Sequence, residues 1–331
     1  MRVLAADVGG TKTLLSLQEL DEEGFHRELR SERFASRDFS GLAEVIRKFL
    51  GDDLASVTHA GIGVAGPVTV EEHGESVRAT NLPWRIDARA LEVALDLERV
   101  RLINDFHAVA LGIPKLDADD VEVLQEGVVD PSGPIAIIGA GTGLGEAIVL
   151  PVAGQWKVIA SEGGHCDFAP RNELEIALLR FLLGRHERVS CERVVSGPGL
   201  LTLYRFLIEH EGLTARPDTE ARMTSEDPSA VIGQRALAGD DEICVRTVDL
   251  FMSLYGSEAG NLALKVLPKG GLYIAGGVAI RLLPKLREGH FLAAFNRKGR
   301  MSPLLEATRV SVVTNPRVGL IGALHAALTR Q

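Results

Sequence analysis

The feature that most constrains this chain is an internal echo. Residues 3–18, "VLAADVGGTKTLLSLQ", and residues 135–150, "IAIIGAGTGLGEAIVL", share one plan. Each is an apolar run, then a turn of small residues rich in Gly and Thr, then a second apolar run. That pattern predicts a hairpin in each place, the first turning at Gly9-Gly10. "FHRELRSERFAS" supplies a third strand to the first hairpin, and "WKVIA" a third strand to the second.

The segments beyond the two hairpins correspond as well. In the first half, Leu42, Val45, Ile46, Phe49 and Leu50 recur at helical spacing and stop at Gly51. "HAGIGVAGPV" and "RVRLIND" read as strands, and "FHAVALGI" as a helix begun where the second of these ends. The pattern restarts after a polar stretch around Asp117–Gly127. In the second half, "NELEIALLRFLLGRH" reads as a helix, and "GLLTLYRFLIEH" as another after the punctuation Gly197-Pro198-Gly199. Residues 211–229 read as an exposed loop, and a long helical region comes next. "GGLYIAGGVA" is expected as a strand broken by glycines, "RVSVVTN" as a strand and "GLIGALHAALTR" as an amphipathic helix. The whole predicts an α/β protein of two related domains with a ligand in the cleft between them. The expected division is a small domain of residues 1–110 plus 314–331 and a large one of residues 111–313.

Composition narrows the class. A chain of 331 residues exceeds what one core usually serves, and 46% hydrophobic with 24% charged residues is ordinary for a globular protein. A formal net charge of −9 carries no electrostatic footprint for nucleic acid or acidic membranes. Cys166, Cys191 and Cys244 form no CxxC and no disulfide framework, which fits a reducing compartment. No run approaches a membrane span and no signal peptide is evident, so a cytoplasmic location is expected.

A glycine turn exposes successive backbone N–H groups and lets a ligand approach with no Cβ in the way. Gly is also the default turn residue, so either hinge alone could be a plain hairpin turn. Their pairing, with Thr11 and Thr142 as hydroxyl donors and Asp7 as a carboxylate, points to a polyphosphate held by both. Other phosphate motifs fail. There is no Walker Gly-Lys-Ser/Thr, and Gly139, Gly141, Gly143 and Gly145 alternate and lead into a strand, unlike a dinucleotide fingerprint.

In order along the chain, "DVGGTK", "INDFHAVALGIP", "GAGTGLG", "EGGHCDFAP", "CERVVSGPGL" and "IAGGVA" together resemble bacterial glucokinase, of the sugar kinase, heat-shock and actin superfamily. The resemblance runs from about residue 3 to 328. It implies two ribonuclease-H-like (actin-like ATPase) domains around a central cleft, and ATP-dependent phosphorylation of glucose with Mg²⁺. By the same resemblance Asp105 is the catalytic base, and Asn81, Asn104, Glu162, His165 and Glu192 bind the sugar together with Asp105. Gly9, Gly10, Thr11, Lys12, Gly141, Thr142, Gly143, Gly276 and Gly277 attend the nucleotide, and Asp7 orients Mg²⁺ through water. Family members are often homodimers. The related repressor, open-reading-frame and kinase (ROK) family carries a Cys-rich zinc motif after its EGGH-like segment; here "CDFAPRNELEIALL" comes next with no further Cys nearby.

Taken as residues, several of these positions have a plainer alternative. Asp105 could be a helix N-cap, His165 a satisfied buried histidine, and Glu192 an exposed charge at a helix start. Lys12 either reaches a phosphate or projects from the hairpin, and Trp84 either packs near a sugar ring or belongs to the core. An ordinary Asp, with a pKa near ~3.9, is a weak base. His165-Cys166-Asp167 lacks the partners a zinc site needs. A carboxylate, an amide and an imidazole do suit a ring of hydroxyls that both donate and accept. The functions left open beside glucose phosphorylation are a kinase for another hexose and a kinase-like sugar sensor without turnover.

Overall fold

A computed structural model describes residues 1–21, 26–71 and 74–329. They divide into two compact units, one of Met1–Asp117, Trp156–Val158 and the chain from Asn315 onward, the other of Ala118–Gln155 and Ile159–Thr314.

The first unit contains β1 (Arg2–Val8), β2 (Lys12–Leu20), β3 (His26–Ala35), α1 (Leu42–Leu50), β4 (Val57–Val64), β5 (Val68–Glu71), β6 (Gly74–Arg78), β7 (Arg85–Asp87), α2 (Ala88–Leu95), β8 (Arg99–Asn104) and α3 (Asp105–Gly112). Its main sheet has the order β3-β2-β1-β4-β8, and β5-β6-β7 form a small second sheet that periodicity did not suggest. The β1–β2 and β2–β3 pairs are antiparallel, whereas β1–β4 and β4–β8 are parallel. Strand β1 is apolar without alternation because both of its faces are covered. Leu4, Ala6 and Val8 pack with Val45 and Ile46 of α1 on one side. Val3 and Ala5 pack on the other against Leu320, Leu324 and Ala327. Full burial of each Leu or Ile contributes roughly 1.5–3 kcal/mol. Phe25 of the expected third strand lies outside the described residues.

The second unit contains β9 (Val121–Gln125), β10 (Ile135–Ala140), β11 (Leu144–Val152), β12 (Gln155–Ser161), α4 (Glu173–Leu183), α5 (Gly197–Glu211), α6 (Pro217–Ser225), α7 (Pro228–Ala238), α8 (Glu242–Val266), β13 (Gly271–Ala275), α9 (Gly277–Arg281), α10 (Leu283–Arg287), α11 (His290–Asn296), α12 (Ser302–Glu306) and β14 (Val310–Val313). Helix α13 (Val318–Leu328) returns to the first unit. The sheet order β12-β11-β10-β13-β14 repeats that of the first unit, with parallel pairing of β10–β13 and β13–β14. Strand β9 adds an antiparallel edge to β14, from a stretch read as merely polar.

Four expectations need correction. Residues 217–225 are helical, not loop: Pro217 occupies the first turn, Thr219 and Met223 are buried, and Arg222–Glu226 pair one turn apart. The Gly197-Pro198-Gly199 run does not precede α5 but forms its first turn, capped by Ser196 Oγ accepting from Gly199 N at 3.1 Å. The glycines after Ala275 end β13 and open α9 rather than breaking a strand. Helix α13 is not amphipathic: Val318, Leu320, Ala323, Leu324, Ala326 and Ala327 are all buried. It sits between β1 and α3, and glycines admit it. An added Cβ at Gly322 would lie 1.7 Å from the Ala108 carbonyl oxygen, and one at Gly61 1.9 Å from that of Ala323.

Candidate active site

In the first unit, Asp7 is the penultimate residue of β1, and after Val8 the chain turns through Gly9–Thr11 into β2. The turn is tied by Gly9 N donating to Lys12 O at 3.0 Å and by Ser36, whose N donates to Thr11 O and whose Oγ donates to Gly9 O. Gly10 is required by crowding, because a Cβ there would lie 2.4 Å from Cβ of Asn81. The structure thus sets Asn81 directly against the first hinge. Thr11 and Lys12 are exposed on it, and Lys12 makes no ion pair among the described residues.

Strand β4 separates β1 from β8, with Gly63 level with Asp7 on one side and Ile103 on the other. Beyond Ile103 the N-cap of α3 is Asn104, not Asp105. Asn104 Oδ1 accepts from Phe106 N (2.9 Å) and His107 N (3.2 Å), and its Nδ2 donates to Gly66 O (3.1 Å). Capping by the neighbour leaves Asp105 in the first helical turn, half-buried, accepting from Phe106 N. Burial raises its carboxyl above the ordinary range, against the backbone N–H groups and Asn104 that favour its charge. It is therefore a better base than an unperturbed Asp. Asp7 is pushed up to about 6, first by burial and then by repulsion from Asp105. Neither carboxylate has an ion-pair partner among the described residues.

Trp84 is buried with Nε1 donating to Phe39 O at 3.3 Å, which resolves its role as core.

In the second unit the hinge is Gly141–Gly143, shorter than the "AGTGLG" stretch suggested, with Thr142 exposed on it. Its entry is anchored by two residues that periodicity missed. Tyr255 of α8 accepts from Ala140 N at 3.1 Å, and Gly197 N at the start of α5 donates to Gly141 O at 2.7 Å. Gly276 is at φ +90, and a Cβ on it would lie 2.5 Å from Ala140 O. Gly276 therefore adjoins the hinge, and Gly277 follows it as the first residue of α9.

After β12, Gly163–His165 form a 3-10 turn and Cys191–Arg193 another. Cys191 N donating to Cys166 O, Phe168 N donating to Val189 O, and a bridge between Asp167 and Ser190 hold the two side by side. Glu162 and His165 are exposed, their side chains 92% and 56% accessible, with Oε2 and Nε2 3.9 Å apart. His165 is thus not a buried, satisfied histidine. Glu192 is half-buried rather than exposed. Its Oε2 accepts from Leu144 N at 3.0 Å, and an added Cβ at Gly143 would come within 2.5 Å of it. One carboxylate therefore belongs to the "CERV" segment and to the second hinge at once. The three cysteines are free thiols. Among the described residues the one cluster able to ligate a metal is Asp249, Glu288 and His290, where Lys285 Nζ already bonds both carboxylates. None of these was a candidate from sequence.

Sheets of one order in two units, each opening on a glycine hinge, define the class of actin-like ATPases, and the turn that exposes a carboxylate beside an imidazole suits the sugar kinases within it. A family model described as Glucokinase matches residues 4–330. The chain is 44% identical to a glucokinase of Nostoc punctiforme over 97% of each chain. It is 43% identical to one of a Synechocystis species over 97% of this chain and 96% of that one. The crystal structure of a glucokinase from an Antarctic psychrotroph superposes with a TM-score of 0.83 at 33% identity, covering 98% of each chain. The chain belongs to the glucokinase family. Among the described residues no helix is long and apolar enough to cross a membrane.

Proposed function

We propose that this protein transfers the γ-phosphoryl group of ATP to the 6-hydroxyl of glucose, with Asp105 accepting the hydroxyl proton. The observation that carries the reading is the placement of Asp105. It stands at the end of β8 in the first turn of α3, freed from capping by Asn104 and made more basic by burial. Phosphoryl transfer needs little covalent help, so orienting the hydroxyl and stabilising charge account for most of the catalysis. Because the proton leaves late in a loose transition state, Asp105 orients the hydroxyl as much as it deprotonates it.

Glu162, His165, Glu192, Asn81 and Asn104 take the remaining hydroxyls. Asn104 keeps one Nδ2 hydrogen for this after its bond to Gly66 O. Gly9–Lys12 and Gly141–Gly143 hold the phosphates, and Gly276-Gly277 lie by the adenosine. Asp7 fits Mg²⁺ held through water: it is a half-buried carboxylate, facing a second one and lacking an ion pair among the described residues, which a divalent cation would neutralise. Bound there, the ion would offset negative charge on the phosphates.

The test is Mg²⁺-ATP turnover with a panel of hexoses, alongside Asp105→Asn. Turnover selective for glucose and lost in the variant is expected. Saturable sugar binding without turnover would make the protein a sensor, and preference for another hexose would overturn the substrate alone.

A further inference from the structure

Against the Gly163–His165 turn and the neighbouring Cys191–Arg193 turn lie two carboxyl groups that the proposed chemistry does not use. Glu146 on β11 and Glu258 on α8 are 3% and 5% exposed. Each has a buried Oε1 with no hydrogen-bond partner.

Their surroundings differ. Glu258 Oε2 accepts from Cys191 Sγ at 3.2 Å and from Asn261 Nδ2 at 2.9 Å, and Asn261 Oδ1 in turn accepts from Lys298 Nζ. Burial and the Glu258 charge push the Cys191 thiol far up, so it remains a donor. Glu258 also lines a cavity of ≈ 10 Å³, about the room one water needs. Glu146 has no hydrogen-bond donor among the described residues and is pressed against the turn. A Cβ on Gly163 would lie 1.9 Å from its Oε2 and 2.6 Å from its Cδ. Two neighbouring buried carboxyls do not both ionise without large cost. Glu258 has the donors, so Glu146 holds the proton. In agreement, Glu146 is pushed up to about 7 by burial and then by Glu258, with Lys265 pulling the other way.

We propose that Glu146 is a positioning residue for the sugar-binding turn: as a neutral acid its carboxyl seats Gly163 and thereby sets Glu162 and His165, and its ionisation withdraws that support and weakens sugar binding. The inference rests on Glu162 and His165 being sugar ligands. Once charged, Glu146 is repelled by Glu258 and gains by moving toward water, and Gly163 is the backbone in its way. The groups facing it are Glu258, Tyr255 and Lys265 from α8 and Cys191 from the neighbouring turn; Glu162 and His165 flank Gly163 itself. If sugar binds the protonated form preferentially, affinity is full below about pH 7 and falls as pH rises, by at most about tenfold per pH unit.

The experiment measures glucose affinity by calorimetry, and glucose KM and kcat at saturating Mg²⁺-ATP, from pH 6 to 9. It compares the native protein with Glu146→Gln and Glu258→Gln. In the native protein KM should rise about tenfold between pH 7 and 8.5, with kcat changing far less. Glu146→Gln should keep the low-pH KM throughout, with Glu162 and His165 unchanged in the turn. Glu258→Gln, by removing the repelling charge, should move the rise to lower pH. A Glu146→Gln profile that climbs like the native one, or a Glu258→Gln midpoint that stays put, overturns the proposal. A Glu146→Gln protein that is only less heat-stable, with the native pH profile, overturns it as well. Absence of glucose binding by the native protein at every pH would instead sink the sugar-site reading on which it stands.

Discussion

Replacing Asp105 by Asn should make the protein both inactive and more stable, and the stability gain should depend on pH. Asp7 is held at about 6 in the fold against an ordinary 3.8, because of burial first and Asp105 second. At 1.36 kcal/mol per pKa unit that gap corresponds to about 3 kcal/mol. Burial being the larger cause, less than half belongs to Asp105, or about 1 kcal/mol. The sign comes from linkage. An acid whose pKa is raised by folding costs stability as pH climbs from 3.8 through about 6, and the cost is complete above that. Asparagine lifts the Asp105 share only where Asp7 is ionised. The variant should therefore exceed the native protein by about 1 kcal/mol at pH 7.5 and match it at pH 4. The amide oxygen can still accept from Phe106 N, so the helix start is kept. The assay is urea unfolding at both pH values in chelator, without Mg²⁺ or nucleotide, tracking the transition of the first unit. In parallel, kcat should fall by about 10²–10⁴. A variant less stable than native at pH 7.5, or equally favoured at both pH values, would refute the account of two carboxylates in repulsion.

Other substitutions probe the remaining contacts. Glu192→Ala leaves Leu144 N without its acceptor, so KM for ATP should rise several-fold along with KM for glucose; a change in glucose KM alone would mean that Glu192 does not support the hinge. Asn104→Ala removes the cap of α3 and should cost about 1 kcal/mol in chemical unfolding, with a fall in kcat as Asp105 loses its fixed backbone. Gly322→Ala would drive a Cβ into the Ala108 carbonyl and should destabilise the first unit by about 1–3 kcal/mol or more. Gly184→Ala, at the end of α4 with φ −68 and only ordinary contacts, should be neutral or stabilising by about 0.5 kcal/mol. Thermal melts of this pair would expose an error in either direction.

The duplicated hairpins were legible because a central strand covered on both faces must be continuously apolar, and a tight turn between such strands calls for glycine. The same reasoning located α1 through its spacing and its stop at Gly51, which adopts φ +51. It failed where local composition and burial diverge. The charged stretch 217–225 is a helix because Thr219 and Met223 find a core to enter, which no local pattern announces. Helix α13 looked amphipathic but is covered nearly all round, since β1 and α3 enclose it from positions some 200 residues or more earlier in the chain.

The sequence by itself determined the plan of the molecule and the chemistry available to it: two hinges, a carboxylate after a strand, and a turn bearing Glu and His. Those properties are local, being written in residue type and spacing over a few positions. Tertiary structure alone decided how these groups behave. Asn104 rather than Asp105 caps α3, burial and the Asp105 charge raise Asp7, Glu192 reaches the hinge, and Glu146 is buried under Gly163 beside Glu258. Each depends on which distant segments exclude water from a carboxyl group and which donors they leave within reach. Desolvation and pairing are properties of the packed molecule, and no stretch of sequence carries them alone.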